Sequence, residues 1–379
     1  MQHKKILITG GAGFIGSNLA LRLIDQGYQV TVLDNLSPQI HGSDPITTSP
    51  LYLSIKDKLN FIHGDVTNYN DWIKAISDNE IIVHYAAETG TGQSMYKIHH
   101  YVNSNVCGTA IMLDILTNTK TSVQKVVVAS SRAIYGEGKY FSDELGIVYP
   151  EHRSTEDMDK GIFEVTYKGL NNLKLMPTDE DSKIHPTSIY GITKQNQEQM
   201  VLVACSAIGI AAIGLRYQNV YGPGQSLSNP YTGILSIFST QIKNNLPINI
   251  FEDGKESRDF VYIDDVVTAT IMAIENKNAD NKVFNVGNGV ATTVLEVAET
   301  LMKNYGQQVS ISITGNYRIG DIRHNYADLS KINTELGFKP AINFAEGISR
   351  FCNWVSSQQL QQSSYEKSLS EMKQKGLFK

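Results

Sequence analysis

The stretch ILITGGAGFIGSNLA, residues 6–20, decides the fold. A short apolar run leads into Gly11, Gly13 and Gly16, which have the spacing GxGxxG, and Gly10 also begins a GxxGxxG frame. An amphipathic stretch follows directly. Glycines between a strand and a helix let the backbone approach a pyrophosphate, which then lies at the positive end of the helix dipole. The stretch therefore predicts the first turn of a dinucleotide-binding domain.

The chain beyond this turn alternates short apolar runs with longer amphipathic stretches. The predicted strands are residues 5–9, 29–34, 59–65, 80–87 and 124–131, and the predicted helices include residues 17–27 and 105–116. Apolar strands without polar alternation, separated by helices, are typical of a parallel sheet covered on both faces. We therefore predict an α/β fold with a doubly wound parallel Rossmann sheet.

Loops that contain glycine and proline replace this pattern after Arg216. They predict a boundary between a Rossmann domain, residues 1–218, and a second, smaller α/β domain, residues 219–357. The polar tail, residues 358–379, is expected to form a peripheral helix or a frayed end. Residues 139–183 form a long polar insertion in the first domain, which either covers the site or is a solvated loop without a role.

Composition excludes several function classes. The 379 residues carry a formal charge of -5, so a nucleic-acid partner is not expected. Three widely spaced cysteines support neither a disulfide framework nor a metal site, and they favour the cytoplasm. The longest apolar run, residues 200–215, is too short for a membrane span and is expected to be a helix followed by a buried strand.

Asp34 is the last residue of the second predicted strand, eighteen residues beyond Gly16. A carboxylate there would accept hydrogen bonds from both hydroxyls of an adenosine ribose and would repel a 2′-phosphate, which favours NAD over NADP. Asp65 and Val66 end the third predicted strand. They are either neighbours of the adenine or ordinary strand-end residues.

Tyr190 and Lys194 lie four residues apart in SIYGITK, residues 188–194, after the helix-start signal of Pro186. Unperturbed Tyr and Lys titrate near 10 and 10.4, so a phenolate at neutral pH needs a nearby positive charge. The ammonium and an oxidised nicotinamide would each supply one, which would make Tyr190 a general base. A lone YxxxK is usually a solvated helix face, and the glycine turn with Asp34 is what favours catalysis.

Eight motifs in chain order resemble those of the extended short-chain dehydrogenase/reductases, and more closely their nucleoside-diphosphate-sugar epimerases, over about residues 4–355. The motifs are TGGAGFIG, HYAA (84–87), NVCGT (105–109), SSRAIYG (130–136), YGITK (190–194), LRYQNVYGPGQ (215–225), RDFVYIDDV (258–266) and RIGDIRHNYAD (318–328). Within this family, residues 88–98, residues 228–238 and the insertion look most like dTDP-L-rhamnose 4-epimerases.

The resemblance implies a role for individual residues. Ser131 would share the C4 oxygen of the substrate with Tyr190, Lys194 would also hold the nicotinamide ribose, and Asn105 would brace the active-site helix. Arg258 and Arg318 would contact the diphosphate, although each of them taken singly could be a surface ion-pair residue. The predicted cofactor-binding residues are Gly10, Gly13, Phe14, Ile15, Gly16, Asp34, Asn35, Asp65, Val66, Ala86, Asn105, Tyr190 and Lys194. The predicted substrate-binding residues are Ser94, Asn219, Arg258, Arg318 and Asp321.

Three departures from the family pattern narrow the chemistry. Dehydratases of this family have an Asp-Glu pair where this chain has Arg132 and Ala133, so loss of water is not expected. Epimerases acting at carbons 3 and 5 have a cysteine at the position of Ala133, so that chemistry is disfavoured too. Gln218 replaces a bulky apolar residue, which leaves one wall of the sugar pocket undetermined.

The resemblance therefore implies an NAD-dependent 4-epimerase of a nucleoside-diphosphate hexose or 6-deoxyhexose that acts through a transient 4-keto sugar. The nucleotide sugar would be its partner, and a homodimer through helices that flank the sheet is expected. A nucleotide-4-ketosugar reductase or dehydrogenase, or a UDP-hexose 4-epimerase, would use the same residues. A non-catalytic Rossmann module that senses dinucleotides is disfavoured, because it would not need Ser131, Tyr190 and Lys194 together.

Overall fold

The computed structural model describes residues 4–229, 231, 233–359 and 365–379. The strands are β1 (Lys5–Thr9), β2 (Gln29–Asp34), β3 (Asn60–His63), β4 (Ile81–His84), β5 (Lys125–Ser131), β6 (Tyr140–Ser142), β7 (Gly146–Val148), β8 (Lys174–Leu175), β9 (Ala211–Tyr217), β10 (Asn219–Tyr221), β11 (Ile248–Ile250), β12 (Ser257–Arg258), β13 (Phe260–Tyr262), β14 (Lys282–Val286), β15 (Thr292–Thr293), β16 (Ile311–Ile313) and β17 (His324–Asn325).

The α-helices are α1 (Phe14–Asp25), α2 (Pro38–His41), α3 (Pro45–Thr48), α4 (Pro50–Ile55), α5 (Tyr69–Ile76), α6 (Thr91–Ser94), α7 (Ile98–Tyr101), α8 (Gly108–Asn118), α9 (Thr155–Asp159), α10 (Ile189–Ala207), α11 (Ile234–Lys243), α12 (Ile263–Glu275), α13 (Val294–Tyr305), α14 (Ser330–Leu336), α15 (Phe344–Ser356) and α16 (Tyr365–Gln374). A π-helical segment, Val102–Cys107, leads into α8, and short 3₁₀ helices lie at Arg132–Tyr135 and Lys277–Ala279.

A seven-stranded parallel sheet forms the centre, in the order β14-β9-β5-β4-β1-β2-β3. The doubly wound Rossmann fold predicted from the sequence is confirmed. Alternate residues of β1 explain the two layers: Ile6 and Ile8 pack in the apolar cluster on one face, and Leu7 packs in the cluster on the other. Helices α1 and α12 cover one face, whereas α8 and α10 cover the opposite one. The carboxyl ends of all these strands therefore meet at one edge.

The seventh strand of this sheet comes from β14, which lies well beyond residue 218. The predicted boundary at residues 218/219 therefore does not enclose the whole sheet, because the chain returns to it after forming β10–β13 and α11–α12. The remaining strands of the C-terminal part form small sheets, β10-β13, β11-β16 and β15-β12-β17. The loops between them lie above the carboxyl edge of the large sheet, where the site is.

The apolar run at residues 200–215 is the end of α10 followed by the buried strand β9, as predicted. No helix in the described part of the chain is both long and apolar enough to cross a membrane. Cys107, Cys205 and Cys352 are free thiols.

Candidate active site

One cavity of about 1220 Å³ lies along the carboxyl edge of the large sheet and continues under the small sheets. It is larger than the roughly 300–1,000 Å³ typical of a pocket for one small molecule, so it has room for a dinucleotide and a second ligand. Most residues predicted from the sequence line it. These are Gly10, Gly13, Phe14, Ile15, Gly16, Asp34, Asn35, Asp65, Val66, Ala86, Ser131, Tyr190, Lys194, Asn219, Arg258, Arg318 and Asp321.

The glycine turn forms one end of this cavity. Gly10 has φ of +66°, and a Cβ atom there would lie 2.8 Å from the backbone nitrogen of Ala86. A Cβ atom on Gly16 would collide with the carbonyl oxygen of Gly10, so helix and strand approach this closely only with glycine. Gly13 is the N-cap of α1 and has no side chain to occupy the free N–H groups of the first turn. The turn therefore presents the donors and the space that a pyrophosphate requires.

Asp34 ends β2 beside this turn and is buried. Its carboxylate accepts the backbone N–H groups of Ala12 at 2.9 Å and Leu36 at 2.8 Å, which fixes both loops around it. Burial raises the pKa of Asp34, against the effects of these hydrogen bonds and of His41, whose Nε2 lies 3.9 Å away. Burial also lowers the pKa of His41. No pattern in the sequence singles out His41, which lies on the short helix α2 and lines the cavity.

Tyr190 lies in the first turn of α10, with Ser188 as N-cap, and its phenol belongs to the cavity wall. Burial raises the pKa of Tyr190, while a hydrogen bond with Ser131 and the charge of Arg132 oppose this shift. The protein alone therefore keeps the phenol protonated at neutral pH. From the sequence we expected Lys194 to lower this pKa. In the structure the opposing charge is that of Arg132, and Lys194 donates elsewhere.

Lys194 belongs to a buried polar network that the sequence did not reveal. Its Nζ donates to Gln197 Oε1 at 2.9 Å, and Gln197 Nε2 donates to Thr109 Oγ1 at 2.9 Å. His84 Nε2 lies 2.9 Å from that same hydroxyl, and its Nδ1 lies 2.7 Å from Thr9 Oγ1. Burial lowers the pKa of Lys194 to about 7. The network holds the ammonium in place from β1, β4, α8 and α10 together.

Two predicted contacts lie outside the cavity wall. Ser94 is fully buried, donates to Thr91 O at 2.6 Å and accepts the backbone N–H of Tyr190 at 3.0 Å. Its hydroxyl is therefore engaged within the protein, and Ser94 does not line the cavity. Asn105 donates to Thr193 Oγ1 at 2.9 Å and exchanges hydrogen bonds with the backbone of Glu88. It connects α10 to the loop after β4 and does not line the cavity.

Arginines dominate the other end of the cavity. Arg258 donates to Asp321 Oδ1 at 2.8 Å, and Arg318 lies over the ring of Phe251, with 4.8 Å from guanidinium carbon to ring centroid. Burial raises the pKa of Asp321, but the charges of Arg258 and Arg318 prevail and hold it at about 2. Asp321 is therefore ionised, and the region suits the phosphates and hydroxyls of a nucleotide.

The insertion, residues 139–183, does not line the cavity. It forms the sheet β7-β6-β8 and the short helix α9, and it packs against the C-terminal part through buried ion pairs. Arg153 binds Glu137 at 3.1 Å and Glu252 at 2.8 Å, while the fully buried Arg323 binds Glu164. The segment thus neither covers the site nor lies free in solvent.

The C-terminal tail was expected to be peripheral, yet α16 lies over the cavity. Tyr365, Ser368 and Met372 line it, and Arg318 donates to the Tyr365 hydroxyl at 3.3 Å. Glu371 accepts hydrogen bonds from Tyr96 and Tyr231, both at 3.0 Å. The helix therefore connects the loop after β4 with the loop before α11. The sequence does not predict this packing, because α16 is mostly polar and has only one narrow apolar face.

Comparisons with known proteins agree with this geometry. Residues 6–155 and 167–287 match the model of the family described as NAD dependent epimerase/dehydratase family. The chain is 37% identical to a dTDP-L-rhamnose 4-epimerase of Burkholderia thailandensis, over 94% of this chain and 96% of that protein. It is 32% identical to a putative UDP-glucose 4-epimerase of Methanocaldococcus jannaschii, over 93% and 98%.

A solved structure has the same architecture and contains ligands. It is a UDP-glucuronic acid 4-epimerase of Bacillus cereus in complex with UDP-glucuronic acid and NAD, with a TM-score of 0.75 and 27% identity, over 93% of this chain and 99% of that one. The glycine turn, the Tyr190 helix and the arginine-rich end form one cavity in this chain. The chain belongs to the NAD dependent epimerase/dehydratase family.

Proposed function

We propose that the protein is an NAD-dependent 4-epimerase of a nucleoside-diphosphate hexose or 6-deoxyhexose, of the dTDP-L-rhamnose/dTDP-6-deoxy-L-talose type. The observation that carries this proposal is the single cavity that joins the glycine turn, the Tyr190 phenol and the pair Arg258 and Arg318. The identity of 37% with a dTDP-L-rhamnose 4-epimerase supports the substrate class.

The residues of the chain divide the work. The turn at Gly10–Gly16 and Asp34 would hold the adenosine diphosphate half of NAD, and bound NAD would supply reversible oxidation at the sugar C4. Tyr190 exchanges the proton of the C4 hydroxyl, with Ser131 beside it. Burial raises the pKa of Tyr190, and the positive charge of a bound oxidised nicotinamide would lower it again, because a positive charge favours the phenolate. Arg258 and Arg318 anchor the diphosphate while the 4-keto sugar rotates to present its opposite face to the cofactor.

A homodimer in the cytoplasm completes the proposal. Ile192 and Val203, eleven residues apart on α10, are 42% and 72% exposed, and Ile98 and Val102 are exposed on the segment packed beside α10. A helix face with exposed apolar side chains suits a second copy of the same chain. The free thiols of all three cysteines suit a reducing compartment.

The test is incubation of the purified protein with dTDP-, UDP- and GDP-hexoses without added cofactor, followed by NMR of the sugar. An epimerase converts its substrate to a new 4-epimer through many turnovers, because the cycle is redox-neutral. A reductase or dehydrogenase stops after one equivalent unless NAD(P)H or NAD is added. Product formation that depends strictly on added NAD(P)H would reject the epimerase.

A further inference from the structure

Arg132 lies in the wall of the cavity, and the function described above assigns no role to it. It follows Ser131 directly, at the point where β5 ends and a 3₁₀ turn begins. Its Nε donates to Asn219 Oδ1 at 2.8 Å, which links this turn to the start of β10. Arg132 is partly exposed and lines the cavity together with Tyr190, Asn219 and Arg258.

The guanidinium of Arg132 has no counter-ion in the chain as described. No described carboxylate lies within 4.0 Å of it, and the described residues accept no hydrogen bond from its two terminal nitrogens. Arginines with less exposed side chains elsewhere in the described chain have carboxylate partners. Arg153, Arg216 and Arg258 each bind a carboxylate at 3.1 Å or less. A cation in a recess of the protein without an ion-pair partner is unfavourable unless a ligand supplies oxygen acceptors.

The charged groups near Arg132 indicate which part of a ligand its guanidinium would contact. Burial and the charge of Arg258 lower the pKa of Arg132 to about 10, so the group remains a cation at neutral pH. Asp321, Tyr190 and Glu137 are the neighbours that oppose this shift. Arg132 therefore lies in the same part of the cavity as the Tyr190 phenol and the Arg258–Asp321 pair, near enough to interact electrostatically with both. In a nucleotide sugar that is anchored at Arg258 and reacts at Tyr190, the part between these two points is the hexose.

We propose that Arg132 is a specificity-determining residue whose terminal nitrogens bind oxygen atoms of the hexose. This inference rests on the proposed function. The guanidinium presents N–H groups side by side, which suits two neighbouring oxygens better than a single one. The bond from its Nε to Asn219 fixes the plane of the group, so the hexose is oriented relative to Tyr190.

Equilibrium binding to the NAD-loaded protein tests the proposal, with dTDP and dTDP-L-rhamnose as one pair of probes and UDP and UDP-glucose as another. We expect Arg132→Met to bind the preferred nucleotide sugar at least about tenfold more weakly, since a charged hydrogen bond to the ligand is lost. Binding of the free nucleoside diphosphate should change less than about twofold. Arg132→Lys, which keeps one charge, should fall between. Arg350→Met removes an arginine from the exposed face of α15 and serves as control.

Three outcomes decide between the hexose and other roles. An equal loss for the nucleoside diphosphate and the nucleotide sugar would assign Arg132 to the diphosphate and overturn the proposal. If Arg132 acts only by holding Asn219, the double variant with Asn219→Ala would bind no more weakly than the Asn219→Ala single variant, which would also overturn it; we expect a further loss. A wild-type protein that binds the sugars no better than the diphosphates would instead refute the proposed function.

Discussion

The Ser94 hydroxyl accepts the backbone N–H of Tyr190 at 3.0 Å, and it donates its own proton to Thr91 O at 2.6 Å. Helix α10 has four N–H groups in its first turn without a partner inside the helix, as any helix does. Ser188 satisfies that of Gly191, and Ser94 satisfies that of Tyr190. The last residue of α6 thus fixes the orientation of the turn that carries the phenol. Ser94 is a positioning residue.

Ser94→Ala should therefore lower kcat and leave KM for the nucleotide sugar nearly unchanged. Loss of the hydrogen bond leaves a buried N–H unsatisfied, which costs about 1–3 kcal/mol and loosens the turn. A decrease in kcat of about tenfold is expected from a misplaced base. Steady-state kinetics separates the two parameters, and Ser206→Ala, exposed near the other end of α10, is the control. A rise in KM at constant kcat would instead indicate that Ser94 contacts the substrate, as the family resemblance implies.

Tyr190→Phe should remove most turnover and retain the cofactor. The phenol is the group placed to exchange the C4 proton, and general acid–base catalysis contributes roughly 10²–10⁴-fold. The ring remains, so the cavity wall and the glycine turn are undisturbed. Turnover by NMR and the NAD content of the purified variant are the two measurements. Wild-type activity in this variant would reject Tyr190 as the base, whereas loss of both activity and NAD would indicate a collapsed site.

Glu371→Ala should weaken binding of the nucleotide sugar and have little effect on the chemical step. Glu371 accepts hydrogen bonds from Tyr96 and Tyr231, whose hydroxyls also lie 2.7 Å apart, so its carboxylate attaches α16 to the segment between α6 and α7 and to the loop before α11. Its removal should increase KM about three- to tenfold, as hydrogen bonds to a charged group are lost. Glu366→Ala, on the exposed face of the same helix, is the matched control. Equal KM values for both variants would show that α16 does not close the site.

Some elements of the fold and of the site can be predicted from the sequence, and others cannot. The strands β1, β2 and β5, the glycine turn and Asp34 follow from local patterns, because a parallel sheet buried on both faces requires continuous apolar runs. The polar network around Lys194 does not follow from any local pattern. Gln197 and His84 are 113 residues apart and meet only when α10 packs on β4. Each alone reads as an ordinary buried or helical residue.

The same limit applies to Ser94 and to α16. The hydroxyl of a serine in a loop is as suitable for a ligand as for a backbone N–H, and only the 96-residue separation closed by folding decides between them. Helix α16 has a polar composition, and its apolar residues, Tyr365, Leu369 and Met372, gain their partners from Tyr96, Ile237 and Phe251. The hydrophobic periodicity of the tail alone is therefore too weak to predict these tertiary contacts.

His84 gives the last prediction, which concerns stability against pH. It is fully buried, with both ring nitrogens beside threonine hydroxyls, and burial and the charge of Lys194 lower its pKa to about 3. In the unfolded chain the imidazole titrates near 6.5. Between these two values the unfolded state binds a proton that the folded state does not. The free energy of unfolding should therefore fall as the pH decreases below 6.5, by up to about 1.4 kcal/mol per pH unit from this group.

His84→Asn removes this contribution. The variant is expected to be less stable than wild type near neutral pH, because the threonine contacts change, but its stability should decline less steeply between pH 6.5 and 5. Urea unfolding at several pH values gives both slopes, and the difference between them cancels the other titrating groups. His99→Asn, at an exposed position of α7, should keep the wild-type slope. Parallel curves for His84→Asn and wild type would mean that the pKa of His84 is not lowered in the folded protein, and the neutral imidazole in the network around Lys194 would have to be abandoned.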